Sequence, residues 1–425
     1  MAPSDKPTKI DKLGFEPYVK GIENLIRKTN SADLPLVIGI YGAWGSGKTS
    51  FMMQLKSRLE TNADEPPLPI IWFDAWKYDR MQDVRSALIY KILFDLYNDA
   101  TSNTKRKLTK VAKDVGRFAL GVIEQSNISL GVPGGGGVSF PSIEDAKKRT
   151  DYWKSYQTIV DRFSSEFGKA VKAFLSEGKH KEDGKLVVFI DDLDRCLPEN
   201  VIVVLEALKL FLVESQCVFV IGVDRTIVER AIQAHYNVDP GILGKEYLDK
   251  IIQYPFNIPP SEPAKLRDYF GQLAQSGSLN DKCSHVLKVA AEGNPRVYLR
   301  LINTWNLVSS LAPHVVPALW GESHRHILAI ATAVQIRFPA FHETCCKNPR
   351  GLYLFVNYCF SHPSGDLGKL FDGNNANEYS SFWGNASIKH FFTGLKGPPM
   401  GNNRDAILGS EDFIRIAFNF STTLA

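Results

Sequence analysis

Gly42-Ala43-Trp44-Gly45-Ser46-Gly47-Lys48-Thr49, directly behind the apolar run Leu36-Val37-Ile38-Gly39-Ile40-Tyr41, decides the fold of this chain. The pattern is G-x-x-x-x-G-K-[ST]. Its glycines let successive backbone N–H groups turn inward around an anion, Lys48 can bridge the outer phosphates, and the Thr49 hydroxyl can ligate Mg²⁺. The next residues, Ser50-Phe51-Met52-Met53-Gln54-Leu55-Lys56-Ser57-Arg58-Leu59, are amphipathic at helical spacing. The loop thus lies between a strand and a helix, the context phosphate binding demands, and a ligand-free glycine turn is disfavoured. Gly42, Ala43, Trp44, Gly45, Ser46, Gly47, Lys48, Thr49 and Ser50 are the expected nucleotide-binding residues.

Working outward, Tyr18, Val19, Ile22, Leu25 and Ile26 space a helix ahead of the loop strand, and Ile70–Trp76 reads as a second strand before helical periodicity over Val84–Leu96. Leu186-Val187-Val188-Phe189-Ile190 ends in Asp191-Asp192, and Cys217–Val223 ends in Asp224, with helical spacing over Val201–Val213 between them. Near-continuous apolar strands alternating with helices indicate an α/β fold, a P-loop core whose mostly parallel sheet is covered by helices on both faces. Beyond Pro263 only helical stretches of comparable quality occur (Ala264–Gln275, Asp281–Glu292, Arg296–Leu311, Ser323–Phe338, and a last one near Ser410–Phe420), which predicts a helical domain after the core.

The boundaries expected are a polar tail over 1–13, the core over 14–262, a helical lid over 263–362 and a C-terminal extension over 363–425. Within the core, 98–150 reads as an insertion. It is basic at Lys105, Arg106, Lys107, Lys110, Lys113 and Arg117, then glycine-rich at Gly131–Gly137, with a helix from Glu144 to Leu175 returning to the sheet. Gly134–Gly137 is not a second phosphate loop, because no Lys-[ST] follows.

A phosphate loop needs a partner carboxylate for Mg²⁺ at the end of a nearby strand. Asp191 fits, with Thr49 as the second protein ligand. Asp192 is placed to orient or deprotonate the attacking water, with N-capping as the structural alternative. Asp194 either joins the outer shell of the metal or pairs with Arg195. Asp224 is positioned to sense the γ-phosphate or to cap the helix Thr226–Ala234. Arg296, opening a helix after Gly293-Asn294-Pro295 and spaced i, i+4 from Arg300, could report nucleotide state. Arg195, Arg225, Arg230 and Arg296 are all candidates for an arginine acting on the transition state, and Asp74 could reach the water or the metal shell. The tryptophans of Trp72–Trp76 are expected in the core.

A guanine-specific site would carry [NT]-K-x-D after the Mg²⁺ strand. The one match, Thr8-Lys9-Ile10-Asp11, precedes the loop, so adenine is preferred and ATP with Mg²⁺ is the expected pair. The Gly14–Tyr18 segment could supply an aromatic wall for the base, with core packing as the alternative for Phe15. His342-Glu343-Thr344-Cys345-Cys346 and His324-Arg325-His326 lack a second half for a metal site and read as core or surface.

Composition sets limits. With 50 basic and 46 acidic residues, the net charge of +4 does not argue for wholesale binding to nucleic acid or membrane, leaving only local patches such as the basic insertion. Six cysteines without a C-x-x-C pair, a polar start and no apolar run near the roughly 18 residues of a membrane span predict a cytoplasmic protein with reduced thiols.

The ordered set Gly14-Phe15, Gly42–Thr49, Phe73-Asp74-Ala75-Trp76-Lys77-Tyr78, Ile190-Asp191-Asp192-Leu193-Asp194-Arg195-Cys196, Gly222-Val223-Asp224-Arg225, Tyr247–Gln253 and Gly293-Asn294-Pro295-Arg296 resembles the KAP family of P-loop NTPases. The resemblance implies an ATPase core of the additional-strand type with a helical lid. It gives Lys48 and Thr49 to phosphate and Mg²⁺, Asp191 to Mg²⁺, Asp192 to water activation, and Asp224 and Arg296 to sensing. Many members carry transmembrane helices where this chain has its basic insertion, and bacterial members often belong to anti-phage systems. Three readings of function stay open: an ATP-hydrolysing switch that assembles with itself or with an effector encoded nearby, a phosphotransferase using Asp192 toward an acceptor hydroxyl, and a nucleotide-binding scaffold without turnover.

Overall fold

A computed structural model of the chain describes residues 6–61, 65–80, 84–109, 165–176, 184–211, 216–236, 243–259, 263–274, 279–361, 379, 381–382 and 384–424. The chain divides into two compact units, one of Pro7–Asp11 and Phe15–Pro259, the other of Met1–Lys6, Lys12–Gly14 and Pro260–Ala425.

The first unit is built on five strands: β1 (Leu36–Tyr41), β2 (Ile70–Asp74), β3 (Leu186–Asp191), β4 (Cys217–Val223) and β5 (Tyr254–Asn257). They lie in the order β2-β3-β4-β1-β5, every pair parallel. Each residue of β1, β3 and β4 is buried, because helices cover both faces and no side chain of these strands meets water. On one face Val37, Ile71, Val188 and Phe219 join a core with Leu88, Ile92, Val204, Leu208 and Ile232 from α3 (Val84–Asp99), α4 (Pro198–Phe211) and α5 (Arg225–Tyr236). Alternate residues, such as Ile38, Val187 and Val220, are buried outside that core, on the side of α2 (Lys48–Thr61), whose Met52 lies against Gly222 of β4. The helix α1 (Glu16–Lys28) packs on α2. Its Glu23 carboxylate takes Arg27 at 3.1 Å, and the buried Lys185 donates to the Ile26 and Arg27 carbonyls at its end.

β5 has no counterpart among the strands expected from sequence. It is four residues long, carries Pro255 and pairs only with β1 at the sheet edge, the position that tolerates a missing N–H. Gln253, just before it, accepts from the Val37 N–H at 2.6 Å and registers the two strands.

The second unit is helical. Its core is built from Val286, Leu287, Tyr298, Trp305, the run Ile327–Val334, Phe341, Phe355, Phe392 and Phe418. Residues 386–421, expected as part of an extension, thereby contribute to the same core as 281–361. Helices start at Pro263, Pro295, Pro317, Pro339 and Pro349, where the missing N–H costs nothing. Pro339–Lys347, Pro349–Ser361 and Ala386–Gly394 were not expected from periodicity, and their start signals lay in those prolines and in Asn385, which accepts from the Ile388 N–H.

Of the insertion, residues 102–109 are helical, and 165–176 form the end of the helix expected over 144–175. The basic residues beyond 109 and the glycine run lie outside the described residues. Among the described residues, no helix is long and apolar enough to cross a membrane.

Candidate functional site

Parallel strands bring their C-terminal ends to one edge, and with β4 seated between β1 and β3 that edge collects the phosphate loop, Asp224 and Asp191-Asp192. Asp74, at the end of β2, is the register partner of Asp191. The additional strand that the family resemblance implies is β4, lying between the loop strand β1 and the strand β3 that ends in Asp191.

The loop is shaped by its own backbone. Gly45 and Gly47 have φ of 83° and 98°, left-handed values that a side chain would strain. A Cβ at Gly42 would stand 2.4 Å from Ser46 Oγ, so a larger residue there would require the Ser46 side chain to turn away. Ser46 Oγ is itself buried with no hydrogen-bond partner among the described residues. Thr8 N–H donates to Ser50 Oγ at 3.2 Å, which engages a residue expected at the nucleotide.

Lys48 folds back over the loop. Its ammonium donates to the Gly42 carbonyl at 2.8 Å and the Ala43 carbonyl at 3.4 Å, and pairs with Asp194 Oδ2 at 3.2 Å, both side chains more than nine-tenths buried. The same Asp194 Oδ2 accepts the Asp224 N–H at 2.9 Å. Arg195 was one partner weighed for Asp194 from sequence, and the structure corrects that pairing: Lys48 takes the place. Arg195 instead reaches Asp192 Oδ1 at 2.9 Å. The cause is local: Asp192 takes the left-handed conformation (φ 56°, ψ 26°) and Leu193–Arg195 turns as a 3₁₀ helix, so Asp194 points back toward the loop.

Asp191 is 3% exposed, and its carboxylate accepts from the Thr49 hydroxyl while Oδ1 has no partner among the described residues. Burial first, then the Asp192 charge, pushes it up to about 6, against the opposing Thr49 hydrogen bond. Burial also raises Asp192, and the Arg195 guanidinium opposes it. An unpartnered buried carboxylate oxygen beside a hydroxyl is a donor set suited to Mg²⁺.

Asp224 Oδ1 accepts the Thr226 N–H at 3.1 Å, the capping role weighed for it. Asp74 pairs with Lys77 at 3.0 Å. Arg225 is tied to Glu229 at 2.7 Å and Asp249 at 3.3 Å and lies over the Tyr41 ring, whereas Arg195 contacts the acidic cluster through Asp192. Trp76, expected in the core, is 53% exposed: it stands in the 3₁₀ turn Ala75–Tyr78 beyond the end of β2, with Arg195 over its ring at 5.3 Å. Trp72 is half-buried and stacks on Phe189. Phe15 is buried against Phe51, so core packing, not a base wall, describes it. The Asp11 carboxylate of the stray Thr8–Asp11 motif accepts the Phe15 and Glu16 N–H groups at 3.0 Å each and serves the start of α1.

Arg296 lies in the helical unit, on the first turn of Pro295–Val315, where the Asn294 carboxamide accepts its N–H at 3.0 Å. His342 is buried there and bonds Ser421 Oγ at 2.6 Å. No group of three or more metal-ligand side chains occurs among the described residues.

A family model described as the KAP family P-loop domain matches residues 15–312. The phage T7 exclusion protein of Escherichia coli is 25% identical over 286 residues, 63% of this chain and 36% of that protein, so the chain spans about a third of this relative's length. An uncharacterized protein of Methanocaldococcus jannaschii is 28% identical over 165 residues, 33% of this chain and 81% of its own. Among solved structures, the Aeropyrum pernix ORC2 protein, described as ADPNP–ADP complexes, covers 98% of this chain (97% of its own) at 13% identity and a TM-score of 0.37. The Aeropyrum pernix ORC1 protein in complex with DNA covers 87% (83% of its own) at 14% identity and a TM-score of 0.35. Neither likeness is strong enough to carry a role over.

Proposed function

The chain belongs to the KAP family of P-loop NTPases, and from that premise we propose that it binds ATP with Mg²⁺ and hydrolyses it to drive a switch. The observation that carries the reading is the meeting of Lys48, Thr49, Asp191 and Asp192 at one edge of the sheet.

Gly42–Ser50 would cradle the phosphates through backbone N–H groups, with Lys48 turning from the loop carbonyls to the outer phosphates. Thr49 and Asp191 would hold Mg²⁺, and the two orphaned buried oxygens, Asp191 Oδ1 and Ser46 Oγ, fit a site built to receive further partners. Bound there, the ion would neutralise charge on the phosphate oxygens. Asp192 orients the attacking water and accepts its proton, a task suited to a carboxylate whose affinity for protons burial has raised. Arg195 holds that carboxylate in place. Asp224 and Arg296 act as sensors, the latter a role taken from the sequence pattern alone. Adenine is favoured because the stray guanine-type motif is committed to capping α1.

The proposed output is a change of assembly, with a copy of the chain or a partner encoded nearby. Similarity to the phage T7 exclusion protein supports a role in phage defence. The test is phosphate release from ATP and Mg²⁺ by wild type, Lys48→Ala and Asp192→Asn. The expected result is loss of turnover in both variants, about 10²–10⁴-fold for Asp192→Asn, with ATP still bound by that variant. Label transferred to an acceptor would make the protein a kinase, and tight binding without turnover would make it a scaffold. A plaque assay with the gene and its neighbours, wild type against Lys48→Ala, tests the defence role.

A further inference from the structure

We propose that Asp194 is the positioning residue for Lys48, a buried carboxylate that holds the ammonium when no phosphate is present and that the incoming triphosphate must displace. The inference rests on the nucleotide reading above and assigns a role to the third acid of the Asp191–Asp194 turn.

Each acid of that turn has its own partner. Asp191 takes the Thr49 hydroxyl, Asp192 takes Arg195, and Asp194 takes Lys48. Lys48 has three N–H donors, and the Gly42 carbonyl, the Ala43 carbonyl and Asp194 account for them. The ammonium that should meet the outer phosphates is thus occupied within the protein. Phosphate and carboxylate compete for the same ammonium: a phosphate can replace the carboxylate only if Asp194 gives up its cation while remaining 4% exposed, so the pair opposes binding. Asp194 keeps one bond through the exchange, from the Asp224 N–H. That bond joins the residue released by nucleotide binding to the end of β4, next to the helix Arg225–Tyr236. Asp194 touches neither substrate nor metal in this account; it acts through Lys48.

The geometry separates this role from a merely structural one. Removing the carboxylate charge leaves Lys48 short of a partner in the empty protein, whereas phosphates supply one in the bound protein. The empty state should therefore weaken more than the bound state, and the difference appears as tighter binding. A structural role would weaken both states alike.

The experiment uses the full chain, with Asp194→Asn and Asp194→Ser as variants; both retain an oxygen for the Asp224 N–H. Thermal midpoints are read with and without ATP and Mg²⁺, and Kd by titration. The expected result is a lower midpoint without nucleotide, a larger ATP-induced rise than in wild type, and Kd lowered about threefold or more. A folded variant with an unchanged or weakened Kd overturns the proposal, as does an equal loss of midpoint in both states. If Asp194→Asn does not fold, Asp194→Ser is read by the same criteria. If neither variant folds even with ATP and Mg²⁺ present, so that nucleotide does not rescue the empty state, the proposal is overturned. Wild type that shows no shift with ATP, ADP or GTP sinks the nucleotide reading itself, a result distinct from failure of the variants alone.

Discussion

Asp74 and Asp191 are register partners at the ends of neighbouring parallel strands, so two carboxylates leave the sheet side by side. Asp74 adds to the push on Asp191 after burial and Asp192, so like charge is concentrated at this edge of the sheet.

Asp191→Asn should therefore stabilise the nucleotide-free protein at neutral pH. A carboxylate raised from 3.8 to about 6 favours the folded state below pH 3.8 and loses that contribution as pH rises through about 6. At pH 7.5 the ionised group costs up to about 3 kcal/mol, which Asn avoids while keeping the Thr49 hydrogen bond. Thermal midpoints at pH 7.5 and pH 4 check it: the variant should gain at the first and match wild type at the second, and should lose Mg²⁺-dependent ATP binding.

Gly222→Ala should damage the metal site from behind. A Cβ there would meet Met52 Sδ at 2.4 Å and Asp191 Oδ1 at 3.2 Å, crowding the carboxylate. The expected loss of Mg²⁺ affinity is about 10–100-fold, as for residues that support metal ligands. Adding Met52→Ala should restore stability and leave the Mg²⁺ defect, measured by titrating Mg²⁺ at saturating ATP.

Lys48→Met should lower stability as well as abolish binding, because it leaves Asp194 buried without its cation. Breaking such a pair costs about 3–5 kcal/mol. In the double variant Lys48→Met/Asp194→Asn most of that loss should return, with ATP binding still absent. A denaturant titration of the four proteins gives the coupling.

The helical unit should be sensitive to acid. Burial pushes His326 and His342 down to about 4. A histidine lowered on folding contributes fully above its unfolded value of 6.5 and loses that contribution as pH falls toward 4, about 3 kcal/mol each at the limit. Replacing His326 by Leu should shrink the drop in urea midpoint between pH 7 and pH 4.

The elements read most clearly from sequence were those whose residues are buried on every side. β1, β3 and β4 are unbroken apolar runs, and the loop after β1 carries its own signature. β5 escaped because four residues with a proline, paired on one side, leave no such run. The site divides in the same way. Asp191 follows from a strand ending near a phosphate loop, but which of Asp192, Asp194 and Arg195 faces which partner depends on a left-handed residue and a 3₁₀ turn. Periodicity carries no information about either. Trp76 was misplaced because a motif that continues a strand in sequence had already left it in space.

The left-handed backbone at Asp192 also bears on how this protein could change over generations. Only Gly, Asn and Asp occupy that conformation with little strain. The codons for Asn and Gly each differ from that for Asp by a single base. A lineage can thus reach, in one mutational step, a chain that retains its shape and its nucleotide while losing the carboxylate at this position. Hydrolysis, on this reading, is the property most easily shed, and a descendant frozen in its nucleotide-bound form lies within immediate evolutionary reach.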